Sequence, residues 1–435
     1  MSARNRIFVG NGTDLAYVCL NGYSNGNWAN LASTRLVFGS SHGVIAVGNK
    51  VSGVDGGTCY INGFIDGTAG VTFVGLDGAG LRIMCPQPYS GGTKVLGGEI
   101  LLQQDPSSGL ATFGDGLVEV VGGARRGGCV RFMADSTQTN DFVVSGFGAG
   151  EADAKRGALA FESDTVLSGK VMLANGALLC ASNNATGGIT QTIGGKGDLH
   201  LGGEGTLALA GVDIAGDIHV EGTGVTTSGS LLTGSRFLFV YGTLTFVNDT
   251  DITVDAKVLG TGRIVLAGSG KVDFADLSVF EGVVDLDGQN ASVGAVYGIT
   301  TFTNSSETVA ATLTVAGSTN AAWFGSFVGG VNLSVGGNFR IGATAGVPSS
   351  TDVALAGGEL VLGEPTTVAS LSGVGSVLGD TLTVTGATGS KAQTEQAIDF
   401  AFWPSLADID SRWRLRRVGV GALLVRRRGT LVVVR

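Results

Sequence analysis

Along most of this chain, apolar and small polar residues alternate in short runs, and glycine brackets each run. The phrase recurs as G-G-E-I-L-L at 97–102, G-D-L-H-L at 197–201, G-T-L-T-F at 242–246, G-G-E-L-V-L at 357–362 and G-T-L-V-V-V at 429–434. Alternation with period two marks a strand with one face buried. Runs such as 244–246, 252–254, 263–266 and 271–274 return at short, even spacing, with Asn, Asp and Gly between them as turn formers. Near-identical phrases at short period signal units that bury their apolar face only by stacking on one another. Up-and-down sandwiches share the strand spacing but have no need of the repeated phrase. The prediction is an all-β fold, a single-stranded right-handed parallel β-helix (β-solenoid) with two or three strands in each coil of roughly 20 residues. Residues 1–73 read as irregular first coils, with strand-like pieces at 35–38 and 44–47. Residues 74–390 read as the regular solenoid body, and 391–435 as an Arg-rich β cap.

Composition narrows the class further. The 75 glycines in 435 residues follow no three-residue period and come with only six prolines, which excludes collagen and Pro-rich linkers. Apolar residues make up 43%, enough for a core, and charged residues only 14%. The segment 411–435 holds eight arginines and no carboxylate, so positions 1–410 carry nineteen basic against 36 acidic groups, a balance of −17. An acidic body excludes general affinity for nucleic acid, which needs clustered Lys and Arg. No apolar run is long enough for a membrane-spanning helix. The start, M-S-A-R-N-R-I-F-V-G, has the basic residues of a signal peptide without its apolar stretch. The expectation is that the chain is not exported as written, or is a piece of something longer. Five cysteines, Cys19, Cys59, Cys85, Cys129 and Cys180, show no C-x-x-C spacing and read as small apolar residues of stacked strands, or at most one chance disulfide.

Residues 74–102 carry a motif set of their own: Gly78, Gly80 and Leu81, then Tyr89-Ser90-Gly91-Gly92-Thr93, then Val95, Gly97, Gly98, Ile100 and Leu102. The three groups resemble the G-x-G-x-L opening, the Y-x-G-G-T turn and the V-x-x-G-x-L-x-L strand of the autotransporter-associated β-strand repeat of large bacterial surface and secreted proteins. Looser copies follow at 195–209 and 356–362. The resemblance implies a β-helical passenger or stalk at a bacterial cell surface or outside the cell, with an adhesive or structural role. It brings no catalytic motif and no cofactor. Its implied partners are host or neighbouring-cell glycans or proteins.

The strongest candidate for chemistry is a pair of copies, Gly197-Asp198-Leu199-His200-Leu201 and Gly216-Asp217-Ile218-His219-Val220. Side chains alternate along a strand, so Asp198 and His200 face away from Leu199 and Leu201. The copies open at 197 and 216, an offset that matches one coil and would set His200 over His219 and Asp198 over Asp217 on the outer surface. Two imidazoles and two carboxylates there suit a divalent metal; a solvated ladder duplicated with its repeat is the simpler account, so no metal is assigned. The run 194–198 has the look of one calcium nonapeptide, but tandem copies are missing. Asp285 and Asp287 share a spacing that suits a glycosidase, with alternating acids on an exposed face as the plainer explanation. No G-x-S-x-G, P-loop or H-E-x-x-H occurs.

Twenty of the 30 aromatics are Phe, the type that fills a stacked interior, leaving six Tyr and four Trp (Trp28, Trp323, Trp403, Trp413) as amphipathic platforms that do not recur at the coil period. The leading function is therefore a non-enzymatic surface or secreted β-solenoid. The alternative is a carbohydrate-active β-helix, either a lyase, a hydrolase or a tailspike-like depolymerase. At the C-terminus, runs at 413–418, 422–425 and 430–434 read as three strands. Arg414, Arg416, Arg417 and Arg426 to Arg428 there would protect the open end of the stack or form an anion-binding patch.

Overall fold

The computed structural model describes residues 5–10, 14–21, 34–48, 58–75, 79–103, 112–122, 127–148, 156–222, 224–234, 237–318, 320–380 and 382–384. It also describes the backbone of strands at 395–398, 413–418 and 421–426. Among these residues the fold is all-β, without helix, and its stacked parallel strands form the predicted β-solenoid. The chain divides into two compact units, 1–235 and 236–435.

In the first unit each regular turn contributes three strands, as in Val212–Ile214, Ile218–Val220 and Gly224–Thr227. Each pairs in parallel with its counterpart one turn earlier: Val212 with Ile193, Ile218 with Leu199, Val225 with Leu207. Alternation then does what the sequence pattern requires. Ile100, Val130, Leu159, Leu179, Leu201 and Val220 follow one another through the register as one inward column, all at most 3% exposed. The strand Val71–Gly75 spans the boundary expected near residue 73 and pairs with Gly43–Gly48 on one side and Thr93–Leu96 on the other.

Turn length is less uniform than the sequence suggested. Up to Leu159, long turns such as Ile45 to Phe73 and Val130 to Leu159 are mixed with a short one, Leu81 to Ile100. From there the offset settles, with Leu159 on Leu179 and Leu199 on Ile218. The strands keep the same register while the connections between them absorb the extra length, so the strand rhythm alone underestimates the early turns.

The second unit repeats the plan. Leu244, Ile264, Val284 and Phe302 form one inward column, and Leu313, Leu333, Val353 and Leu371 another. Long strands such as Ile252–Gly260 and Val272–Phe280 run round a corner of the turn. Glycine marks the tightest corner: a Cβ on Gly317, Gly337, Gly358 or Gly375 would strike the carbonyl oxygen of Gly294, Gly317, Gly337 or Gly358 respectively. That close approach explains why the phrase opens on glycine. Trp323, expected as an amphipathic platform, is core instead. It is fully buried against Phe302, Phe327 and Phe339, and its Nε1–H donates to the Thr300 carbonyl at 2.8 Å.

Near the C-terminus the pattern changes to antiparallel: Gly421–Arg426 pairs with Trp413–Val418 on one side and Glu395–Ile398 on the other. Two of the three expected strands are therefore present. Residues 430–434, and the arginine side chains that would decide between cap and anion patch, lie outside the described residues. Trp28 and Trp403 lie outside them as well.

Candidate functional site

The motif of residues 74–102 acquires a physical account first. Tyr89 points inward, fully buried, and its hydroxyl meets Thr93 Oγ1 at 2.5 Å, with burial pushing the phenol up to about 12. Gly91 and Gly92 between them have φ of +89° and +88°, and a Cβ on Gly91 would press on the Gly70 nitrogen at 2.5 Å. Only glycine meets both demands. The turn hands the chain to Thr93–Leu96, and Gly98–Leu102 then stacks on Gly80–Ile83 with Ile100 over Leu81. From Gly80 onward the sequence pieces are thus successive parts of one turn and the start of the next; Gly78 lies outside the described residues.

The Asp-x-His copies form the register expected of them. His200 pairs with His219, Leu199 with Ile218 and Leu201 with Val220, and these four apolar residues are buried to 1% exposure or less. The two imidazoles stack with centroids 4.2 Å apart and planes 7° from parallel, and Phe147 stands edge-on to His200 at 4.9 Å. His200 Nδ1 lies 3.2 Å from Glu221 Oε1, a residue outside both sequence copies. Ligand atoms of Asp198, His200 and His219 all fall within 4.8 Å of one another, and among the described residues this is the group of His, Cys, Asp and Glu side chains so gathered. Asp217 is not part of that trio. Burial, followed by the neighbouring His200, holds the His219 imidazole below its ordinary value against the opposing pull of Asp198, Asp217 and Glu221. Cys180 sits nearby, its thiol pushed up to about 11 by burial and then by Glu221, which keeps it protonated. The third histidine, His42, is engaged elsewhere: Nδ1 with the Ala69 carbonyl at 3.0 Å and Nε2 with Thr72 Oγ1 at 2.7 Å.

Asp198 also shows what several acids and amides at the turns do. Its Oδ1 accepts the backbone N–H of Asp217, one turn on, at 2.9 Å. Asp135 clasps Asp164 N–H, Asp164 clasps Thr186, Asp141 clasps Lys170, Asp251 clasps Lys271 and Asn290 clasps Thr312 in the same way, at 2.7–3.1 Å. Residues that the sequence marks only as turn formers are therefore rungs between turns, each satisfying a donor the corner would otherwise leave open.

Asp285 and Asp287 do not form a paired-acid site. Asp285 is 1% exposed, receives N–H donors from Asp287 and Ser305 at 3.2 and 3.0 Å, and takes the Arg263 guanidinium at 2.5 Å. Burial pushes its carboxyl up, but these donors outweigh burial and hold it below its usual range. Asp287 occupies a left-handed turn position, φ 43°. The chain turns between them, so the two carboxyls lose the common face that a straight strand would give. All five cysteines are thiols, and no disulfide links any of them.

Two outer-surface features have no counterpart in the motifs read from the sequence. One is an aromatic row that runs along the strand Phe237–Val240 and one residue past it, Phe237, Phe239 and Tyr241, with successive centroids 6.0 and 6.4 Å apart; Phe237 is 38% and Tyr241 57% exposed. F-x-F-x-Y carries its signal in the sequence, but a row laid within one coil leaves no recurrence between coils. The other is a shallow polar depression at Asp115, Leu117, Thr139, Asn140 and Asp141, whose Asn140 amide and Asp141 carboxylate are already occupied by backbone partners. No family model, no curated protein and no solved structure matches the chain.

Proposed function

We propose that this chain is a non-enzymatic β-solenoid displayed or secreted by a bacterium, a stalk or adhesin-like surface of the kind the autotransporter-associated repeat resemblance implies. The observation that carries the reading is how the described outer-face charges are engaged. Lys94 pairs with Glu119 at 2.9 Å, Arg131 with Glu99 and Glu162 at 2.7 and 2.6 Å, and Lys257 with Asp276 at 3.7 Å, while the turn aspartates clasp backbone one turn on. Such groups hold adjacent turns together, and these pairs offer no acid–base couple to a groove. Adhesion is the work of the Phe237–Phe239–Tyr241 row, whose exposed Phe237 and Tyr241 rings flank a half-buried Phe239 and offer apolar faces with a polar hydroxyl at one end, a surface suited to stacking against a glycan chain.

That same row is what favours the alternative, a carbohydrate-active β-helix, since rings in line also serve a depolymerase. One experiment separates the two. The protein is incubated with neutral and acidic polysaccharides while retention and new sugar ends are both measured. Retention that falls in Tyr241→Ala and Phe239→Ala, without release of reducing or unsaturated ends, is the expected result. Sustained release of ends, lost on replacing both Asp285 and Asp287 or the two Asp-x-His pairs, would replace the adhesin reading with the enzymatic one.

A further inference from the structure

The His200–His219 rung carries a consequence independent of what the chain adheres to. Imidazole nitrogens and a carboxylate oxygen within 4.8 Å of one another need to close to roughly 3.3 Å to share one ion, given metal–ligand bonds of about 2.0–2.2 Å. That closure asks only for rotation about side-chain bonds of two partly buried rings and an exposed aspartate, with the strands unmoved. Several contacts already favour it. Phe147 buttresses the His200 ring, and Ile218 with Leu199 anchors both rungs from the inner side. Glu221 at His200 Nδ1 accepts that proton and leaves Nε2 as the ligating atom, the usual part of a carboxylate behind a metal-bound histidine. Asp198 uses Oδ1 on the Asp217 N–H, which leaves its second oxygen for an ion.

We propose that His200, His219 and Asp198 bind one borderline divalent transition-metal ion, zinc or copper in class, with Glu221 as the positioning carboxylate, and that the ion clamps two successive turns of the solenoid. Two imidazoles and one carboxylate favour such ions over calcium or magnesium, which take oxygen ligands in larger numbers. The ligands come from different turns and meet only when those turns are stacked, so binding adds to the stability of the folded chain.

The test uses the full chain freed of metal by a chelator and titrated calorimetrically with zinc chloride, with calcium and magnesium chloride in parallel. One zinc per chain is expected, with a raised unfolding temperature and no displacement by millimolar calcium. His200→Ala and His219→Ala should each weaken binding by about tenfold or more and Glu221→Gln by roughly 10- to 100-fold, while His42→Gln leaves it unchanged. Far-UV circular dichroism checks that each variant is folded. X-ray absorption on the zinc-loaded wild-type chain, which needs no variant, should show two imidazoles in the first shell. Absence of zinc binding would overturn the proposal. So would affinity equal in the wild type and both histidine variants, displacement by calcium, or a first shell without imidazole.

Discussion

The Asp198–His219 rung and the Asp285 turn begin from the same sequence signal, polar residues two apart beside a buried strand, and end as different objects. At the rung, the histidines lie in mid-strand, Leu199–Gly203 and Ile218–Val220, where alternation turns them outward. Asp198 sits just before its strand and gives one oxygen to one backbone N–H. At the turn, Asp285 is the last residue of Val283–Asp285, and the chain reverses through Asp287. Its carboxylate folds back to take two N–H groups and a guanidinium and leaves solvent almost completely. A carboxylate's role is thus decided by where the strand stops, which sets how many backbone donors converge on it. The spacing to the next acid does not decide it.

The largest expected effect lies beneath the rung. Ile218 is wholly buried in register with Leu199, and truncation to alanine leaves a cavity in the inward column, so Ile218→Ala should cost about 2–5 kcal/mol. Urea unfolding of the wild type and variant measures it. An unmoved midpoint would mean that the inward column is not packed at this turn, and the outward histidines would lose their anchor with it.

Next comes the Asp285 turn. Asp285→Ala strips partners from the N–H groups of Asp287 and Ser305 and from Arg263, and should cost about 1–3 kcal/mol. The acid dependence sharpens this. Because the folded carboxyl titrates below its unfolded value, its contribution is full above the ordinary carboxylate range and is lost as pH falls through the lower, folded value. Between pH 6 and pH 3 the wild type should therefore lose more stability than Asp285→Ala, and the two unfolding curves should converge in acid. Parallel curves would show that Asp285 is not the group responsible.

The sequence made the repeat, the inward column and the stacking of the two histidine copies legible, because alternation and duplication are local properties. Other features depended on what a neighbouring turn supplies. Glu221 reaches His200 from the end of the next strand. Phe147 reaches it from two turns back in the register, since Gly146 pairs with Ala177 and Ala177 with Leu199. The aspartate clasps likewise join one turn to the next, Asp135 to Asp164 and Asp251 to Lys271. The long early turns were hidden for a related reason: their additional length lies in connections without periodicity. Trp323 lies in the core and not on the surface because its polar atom finds a buried partner, Nε1 at the Thr300 carbonyl, which an amphipathic residue type does not reveal.

The smallest effect is also the most direct comparison, the same Asp→Asn exchange made at both sites. Asp285→Asn keeps an acceptor oxygen but loses the charge that meets Arg263 at 2.5 Å, at a site 1% exposed, so it should cost less than Asp285→Ala, about 1 kcal/mol. Asp198→Asn keeps the oxygen that receives the Asp217 N–H and leaves the side chain in solvent, so with chelator present its cost should stay within about 0.5 kcal/mol. Unfolding free energies of the two variants, measured side by side at neutral pH, give the contrast directly. Equal losses would mean that convergent donors do not distinguish these carboxylates. A loss at Asp198 that appears only after zinc is added would assign that residue's charge to the ion and leave the fold to the clasp.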